Sequence, residues 1–227
     1  MAALEPMPTI TLTDQEKAFF KVCTDTAATS GTVVRCAGGW VRDKILGRES
    51  DDIDLALDNV SGLQFAEAMK RFLEAEAQAS GAAPQRVHIS VIKANPEQSK
   101  HLETATVKFG PRLEVDMTNL RTETYAAGSR IPTVEMGTAE EDALRRDLTM
   151  NALFYNVSTE AVEDWTGRGL ADLRGRVCRT PLSPEVRRTT RSCRCGKRPA
   201  LLRPRRCLVC VFHATSSLCA RAFVYST

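Results

Sequence analysis

Residues 38–54 read Gly-Gly-Trp-Val-Arg-Asp-Lys-Ile-Leu-Gly-Arg-Glu-Ser-Asp-Asp-Ile-Asp and hold the densest chemistry in the chain. Gly38 and Gly39 leave the backbone uncovered, so an anionic group can approach it closely. The helical pattern that follows offers N–H groups and a positive dipole end. Asp52 and Asp54 stand at the head of the apolar run Ile53-Asp54-Leu55-Ala56-Leu57. On a strand, positions i and i+2 share one face, so the two carboxylates converge. Their oxygens suit a hard cation such as Mg²⁺, which keeps room for phosphate oxygens. Two such ions roughly 3.5–4 Å apart clamp the attacking and leaving oxygens of an in-line displacement. The chemistry indicated is nucleotidyl transfer. A glycine pair or an Asp-x-Asp alone also serves purely structural ends, and it is their conjunction that carries the reading.

Two further groups of residues fit the same chemistry. In Leu113-Glu-Val-Asp-Met-Thr118, Glu114, Asp116 and Thr118 share one strand face, which makes Asp116 a third carboxylate for the pair or a member of an ordinary polar face. Arg121 is placed to pair with such a carboxylate. In Glu140-Glu-Asp-Ala-Leu-Arg-Arg-Asp-Leu-Thr-Met-Asn151, a continuous helix sets Arg146 against Met150 and Asp147 against Asn151 at i,i+4. Arg146 suits a triphosphate in fork geometry, while Asp147 and Asn151 suit a ribose or an ordering role. The same stretch also reads as a charged helix with internal pairs, Asp142 to Arg146 among them.

The elements that must position these groups follow from periodicity and punctuation. Thr13-Asp-Gln-Glu16 is a capping box opening a helix through Phe19, Phe20 and Val22, which Gly31 breaks. Thr32–Ala37 reads as a strand entering the glycine pair, and Val41, Ile45 and Leu46 as a helix stopped by Gly47. Ser61–Ala79 is a long amphipathic helix with Leu63, Ala66, Met69, Phe72 and Leu73 inward. Strands are expected at Val87–Ile92, Thr104–Phe109 and Leu113–Met117, the last two joined at Gly110-Pro111. A helix from Glu140 carries Leu144, Leu148, Asn151 and Leu153, followed by a short strand at Val162–Trp165 and a helical turn at Leu170–Leu173. The mixture is α+β, or mixed α/β.

Composition sets bounds. The net charge of +3 divides into −6 over residues 1–184 and a surplus from Glu185 onward, where ten Lys and Arg face one acid. Three of the eight cysteines, Cys23, Cys36 and Cys178, precede that break, which suits a reducing compartment. No apolar run approaches the roughly 18 residues of a membrane span, so no membrane partner is expected. Glu5 and Asp14, with no Arg before Arg35, argue against a presequence. A cytoplasmic or nuclear location is expected, with a mitochondrial one through another isoform. Nothing in the sequence sets the oligomeric state.

Gly38-Gly39-Trp-Val-Arg42-Asp43, Asp52-Ile-Asp54, Glu-Val-Asp116-Met-Thr-Asn-Leu-Arg121 and Arg145-Arg146-Asp147-Leu-Thr-Met-Asn151-Ala-Leu follow in that order. Together they resemble the head domain of class II tRNA nucleotidyltransferases, the CCA-adding enzymes, and of bacterial-type poly(A) polymerases. Glu163-Asp-Trp-Thr-Gly-Arg-Gly-Leu-Ala-Asp-Leu173 resembles the linking motif that follows. Asn95–Thr106 is similar to the eukaryotic CCA-adding enzymes. The resemblance implies an α+β head domain over residues 31–184, after a helical lead-in at 1–30, with a small mixed sheet and helices on one side. It implies that Asp52 and Asp54 bind catalytic Mg²⁺ and that Asp116 assists. It implies that Gly38, Gly39 and Arg42 contact the triphosphate, and that Arg146, Asp147 and Asn151 line the nucleotide pocket. The implied reaction is attack of a tRNA 3′ hydroxyl on the α-phosphate of CTP or ATP, releasing pyrophosphate. A poly(A) polymerase, or a head that binds nucleotide without completing catalysis, are the alternatives.

The family pattern stops near Pro184. The family continues with a stretch like Asp-Asp-Pro-Leu-Arg and a helical neck whose Asp/Arg pair reads the base, whereas here Arg187-Arg-Thr-Thr-Arg-Ser-Cys-Arg-Cys follows. Codons for Arg188–Leu201 shifted by two bases permit Asp-Asp-Pro-Leu-Leu-Ser-Leu-Arg-Gln-Ala-Ala-Arg-Phe, so residues 185–227 are expected to be a disordered or poorly packed tail, or an out-of-frame one. The rival reading is a basic zinc-bound RNA adaptor using Cys193, Cys195, Cys207, Cys210 and His213.

Overall fold

The computed structural model describes residues 7–81, 87–92, 104–110, 113–124 and 133–182. The capping box at Thr13 forms: the Glu16 amide donates to Thr13 Oγ1 at 3.2 Å, and the Thr13 amide to Glu16 Oε2 at 2.7 Å. Helix α1 (Asp14–Ser30) ends at Gly31, whose φ of 64° is the left-handed cap that glycine adopts at little cost. Strand β1 (Val34–Ala37), helix α2 (Gly39–Ile45), strand β2 (Ile53–Leu57) and helix α3 (Gly62–Ser80) follow. Next come strands β3 (Val87–Ile92), β4 (Thr104–Phe109), β5 (Leu113–Asn119), β6 (Arg121–Thr124) and β7 (Thr133–Met136). Helix α4 (Ala139–Arg145), a 3₁₀ turn at Thr149–Asn151, strands β8 (Phe154–Asn156) and β9 (Ala161–Glu163), and helix α5 (Gly169–Gly175) complete the order.

Seven strands form one mixed sheet in the order β3-β4-β5-β2-β1-β8-β9. β2 and β5 run parallel, and every other neighbouring pair is antiparallel. Alternation divides the sheet into two faces. On one, Val34, Cys36, Ile53, Leu55, Val107, Val115 and Met117 pack with Phe19 and Phe20 of α1 and Phe65 and Met69 of α3. Phe65 joins the inward row read for α3, while Leu63 and Phe72 are only partly buried. The other face carries a smaller cluster in which Ala37, Ala56 and Phe154 meet Ala139 and Ala143 of α4. Thus α1 and α3 are the helices expected on one side, and α4 adds a cover on the opposite face. Helix α2 is pinned to α1 through one buried acid: Glu16 accepts from Trp40 Nε1 at 3.0 Å and from Lys44 Nζ at 2.9 Å.

One element expected from the sequence changes. The helix from Glu140 does not reach Leu153. It stops at Arg145, and Arg146 turns extended with ψ 162°. A continuous helix would carry Phe154-Tyr-Asn156 away from β1, whose free edge they pair with. The turn is also tied down, since the Thr149 amide donates to the Arg179 carbonyl at 2.8 Å and its hydroxyl to buried Asp172 at 2.7 Å. A separate two-stranded ribbon, β6 with β7, went unread in the sequence. Residues 95–103 of the Asn95–Thr106 stretch, Pro111, and residues 185–227 with the expectations placed on the tail and the cysteine ligands, lie outside the described residues.

Candidate active site

The parallel pairing of β2 with β5 sets Asp54 directly opposite Asp116. The antiparallel pairing of β4 with β5 sets Thr106 on the far side of Asp116. Asp52 precedes β2 by one residue and shares the parity of Asp54, while Ile53 between them is buried in the core. Asp52, Asp54 and Asp116 are all exposed, on the face opposite α1 and α3. Desolvation raises the Asp54 pKa most, the Arg146 guanidinium pulls it down, and the charges of Asp116 and Asp52 push it up again, with a net rise. The strand geometry therefore brings the three predicted carboxylates within electrostatic reach of each other and of Arg146.

The glycine turn sits beside them, with Ala37 paired to Asp54. Gly38 has φ 71° and ψ −125°, a backbone state that L side chains rarely adopt. A Cβ there would stand 3.1 Å from Arg146 Nη1. The Gly38 amide donates to the Leu153 carbonyl at 3.1 Å, tying the turn to the chain that returns from the 3₁₀ segment. Arg42 reaches Asp43 through Nε at 2.9 Å and Nη2 at 2.8 Å, and Asn151 Oδ1 through Nη1 at 2.7 Å. Asn151 Nδ2 then donates to Asp147 Oδ1 at 3.1 Å. Asp147 and Asn151 thus meet as expected, although the helix invoked to join them is broken. Arg146 and Met150 share no helical turn.

Arg146 has its own mount. Its guanidinium lies 5.1 Å from the centre of the Phe154 ring and donates to Asp142 Oδ2 through Nε at 3.0 Å. Asp142 is 1% exposed and also takes Arg145 Nε at 2.9 Å. Burial alone would raise the Asp142 pKa, but the charges and hydrogen bonds of Arg146 and Arg145 overrule it and hold it below the usual carboxylate range. The Asp142–Arg146 pair is the internal helix pair that the sequence offered as the ordinary reading, and its depth follows from the packing of α4 on the sheet. Thr106 was missed altogether, its one signal being the polar alternation of Thr104, Thr106 and Lys108. Arg121 does not pair with Asp116. The chain turns at Leu120, and Arg121 Nε lies buried without a hydrogen bond, 3.9 Å from Glu123. Burial, then the neighbouring Arg145, lowers the Arg121 pKa to about 10.

The donor set suits a hard divalent cation. Asp52 and Asp54 offer carboxylate oxygens, and no hydrogen bond or ion pair engages either carboxylate among the described residues. Among the described residues no three His, Cys, Asp or Glu side chains form a closed metal cluster. The geometry is an open one, with a wall of carboxylates on one side and a glycine turn with Arg42 and Arg146 on the other.

A mixed sheet with paired carboxylates at its central strand, facing a glycine turn, defines a nucleotidyltransferase head. The chain belongs to the poly(A) polymerase head domain family, whose profile matches residues 34–179. It is 55% identical over 150 residues to the CCA tRNA nucleotidyltransferase, mitochondrial, of Saccharomyces cerevisiae, covering 66% of this chain and 27% of that one. A solved CCA-adding enzyme, apo form II, superposes with TM-score 0.59 at 26% identity, covering 75% of this chain and 36% of that one. A CCA-adding enzyme in complex with CTP gives TM-score 0.53 at 25% identity, covering 75% of this chain and 33% of that one. The chain therefore spans about a third or less of the length of these relatives. No helix among the described residues is long and apolar enough to cross a membrane.

Proposed function

We propose that this chain carries the nucleotidyl transfer site of a tRNA nucleotidyltransferase that adds C, C and A to tRNA 3′ ends from CTP and ATP. The observation that carries the reading is the register placing Asp54 beside Asp116, with Arg146 and the Gly38 turn against them. The likeness to the yeast enzyme supports the substrates. Residues 31–184 form the head in this reading, 1–30 lead into it and 185–227 lie outside it. Asp52 and Asp54 would hold Mg²⁺, which when bound supplies charge neutralisation for the triphosphate and the attacking hydroxyl. Asp116 stands as a third carboxylate beside that pair. Gly38 and Gly39 let the phosphates approach the backbone, Arg42 and Arg146 bind them, and Asp147 with Asn151 orders the sugar side of the pocket. The mitochondrion joins cytosol and nucleus as a proposed compartment, because the yeast relative is named as mitochondrial.

The second reading is a head that binds nucleotide without completing transfer by itself; this chain spans 27% of the yeast enzyme's length. Labelled CTP and ATP, offered with Mg²⁺ and a tRNA lacking its 3′ end, separate the readings. Ordered C, C, A addition is expected from a self-sufficient head. Binding without incorporation supports the second reading, runs of A alone support a poly(A) polymerase, and neither binding nor incorporation contradicts the assignment.

A further inference from the structure

We propose that Thr106 is a positioning residue for nucleotidyl transfer, its hydroxyl setting the Asp116 carboxylate beside Asp54; this rests on the reading of the site given above. Thr106, Asp116 and Asp54 are consecutive cross-strand partners along one row of the sheet. The Thr106 hydroxyl donates to Asp116 Oδ1 at 2.6 Å. Thr106 is 8% exposed, so an unbonded hydroxyl there would carry a desolvation cost, and Asp116 is the acceptor that relieves it. A carboxylate turns easily about its last torsion, whereas a β-branched side chain on a strand is stiff at χ1. The donor is therefore preset by the backbone and selects one orientation of an otherwise mobile, exposed carboxylate. One Asp116 oxygen is occupied in this way, and the other has no hydrogen bond among the described residues. Ala105 and Val107, on either side, point into the core, so Thr106 is the residue of β4 that faces the carboxylates from mid-strand.

The test is Mn²⁺ binding to the whole chain with a non-hydrolysable CTP analogue, read from the spectrum of unbound Mn²⁺. Thr106→Val keeps the shape and removes the donor, and Thr106→Ser keeps the donor. Loss of a hydrogen bond to a charged group is expected to weaken binding about tenfold in Thr106→Val, with Thr106→Ser near the parent. A Thr106→Val/Asp116→Asn double variant is expected to match Asp116→Asn alone, which also covers the case of a poorly folding single variant. Parent-like binding in Thr106→Val, equal losses in the Val and Ser variants, or an added loss in the double variant overturns the proposal. Asp54→Asn is the control for the site itself. Undiminished Mn²⁺ binding there overturns the metal reading, and this inference with it.

Discussion

Asp54 shares one sheet face with the like charges of Asp52 and Asp116. Desolvation, and then the charges of Asp116 and Asp52, outweigh the pull of Arg146 and leave its pKa above the ordinary 3.8. The folded chain therefore binds its proton more tightly than the unfolded chain, and stability falls as pH rises from 3.8 through the raised value. At neutral pH the ionised side chain is a net cost. Metal-free Asp54→Asn should melt above the parent at pH 7, with the advantage shrinking toward pH 4 and with transfer lost. A lower melting point at pH 7 would contradict the raised Asp54 pKa. Arg146→Ala should weaken triphosphate binding more than tRNA binding, because its guanidinium stands beside Gly38 and within reach of Asp54. The reverse order, measured by titration with each ligand, would count against its role. Gly38→Ala adds backbone strain of about 1–3 kcal/mol at φ 71° and crowds Arg146. It should lower both urea stability and CTP affinity, and an unchanged affinity would remove Gly38 from the pocket.

At the scale of elements, the site depends on how α3 and α4 seat on the two faces of the sheet. Gly62 opens α3 directly over β5, where an added Cβ would stand 2.0 Å from the Met117 carbonyl oxygen. Gly62→Ala must push α3 off the sheet, and overpacking of this kind costs about 1–3 kcal/mol. Urea unfolding should show that loss, and an unchanged midpoint would mean that α3 sits elsewhere. Much of this layer was legible in advance, because capping residues and glycine stops act locally, as Thr13 and Gly31 do for α1 and Ser61 and Gly81 for α3. The carboxylates of β2 and β5 were legible because period-two alternation assigns faces without knowledge of partners. The break after Arg145 was not, since Leu144 and Leu148 continue a helical period that pairing of β8 with β1 overrules. Thr106 was hidden for a related reason: its meaning lies in strand register, ten residues from Asp116 in sequence. Arg121 was misassigned because the turn at Leu120 sends it into β6 instead of along the face of β5.

At the scale of the molecule, residues 1–184 carry the carboxylate face and a net charge of −6, while the basic surplus lies from Glu185 onward. In the proposed function, a polyanion such as tRNA is not attracted by the net charge of residues 1–184, so its contacts there would be with local groups. In the proposed function the head's own task is the small, metal-neutralised ligand. Calorimetric titration of Mg²⁺ with CTP into this chain, and into its Asp52→Asn/Asp54→Asn variant, addresses that task directly. Metal-dependent CTP binding by the parent, lost in a variant that keeps its fold, is the predicted result. Equal binding by the variant, or none by a folded parent, would contradict the assignment of the site.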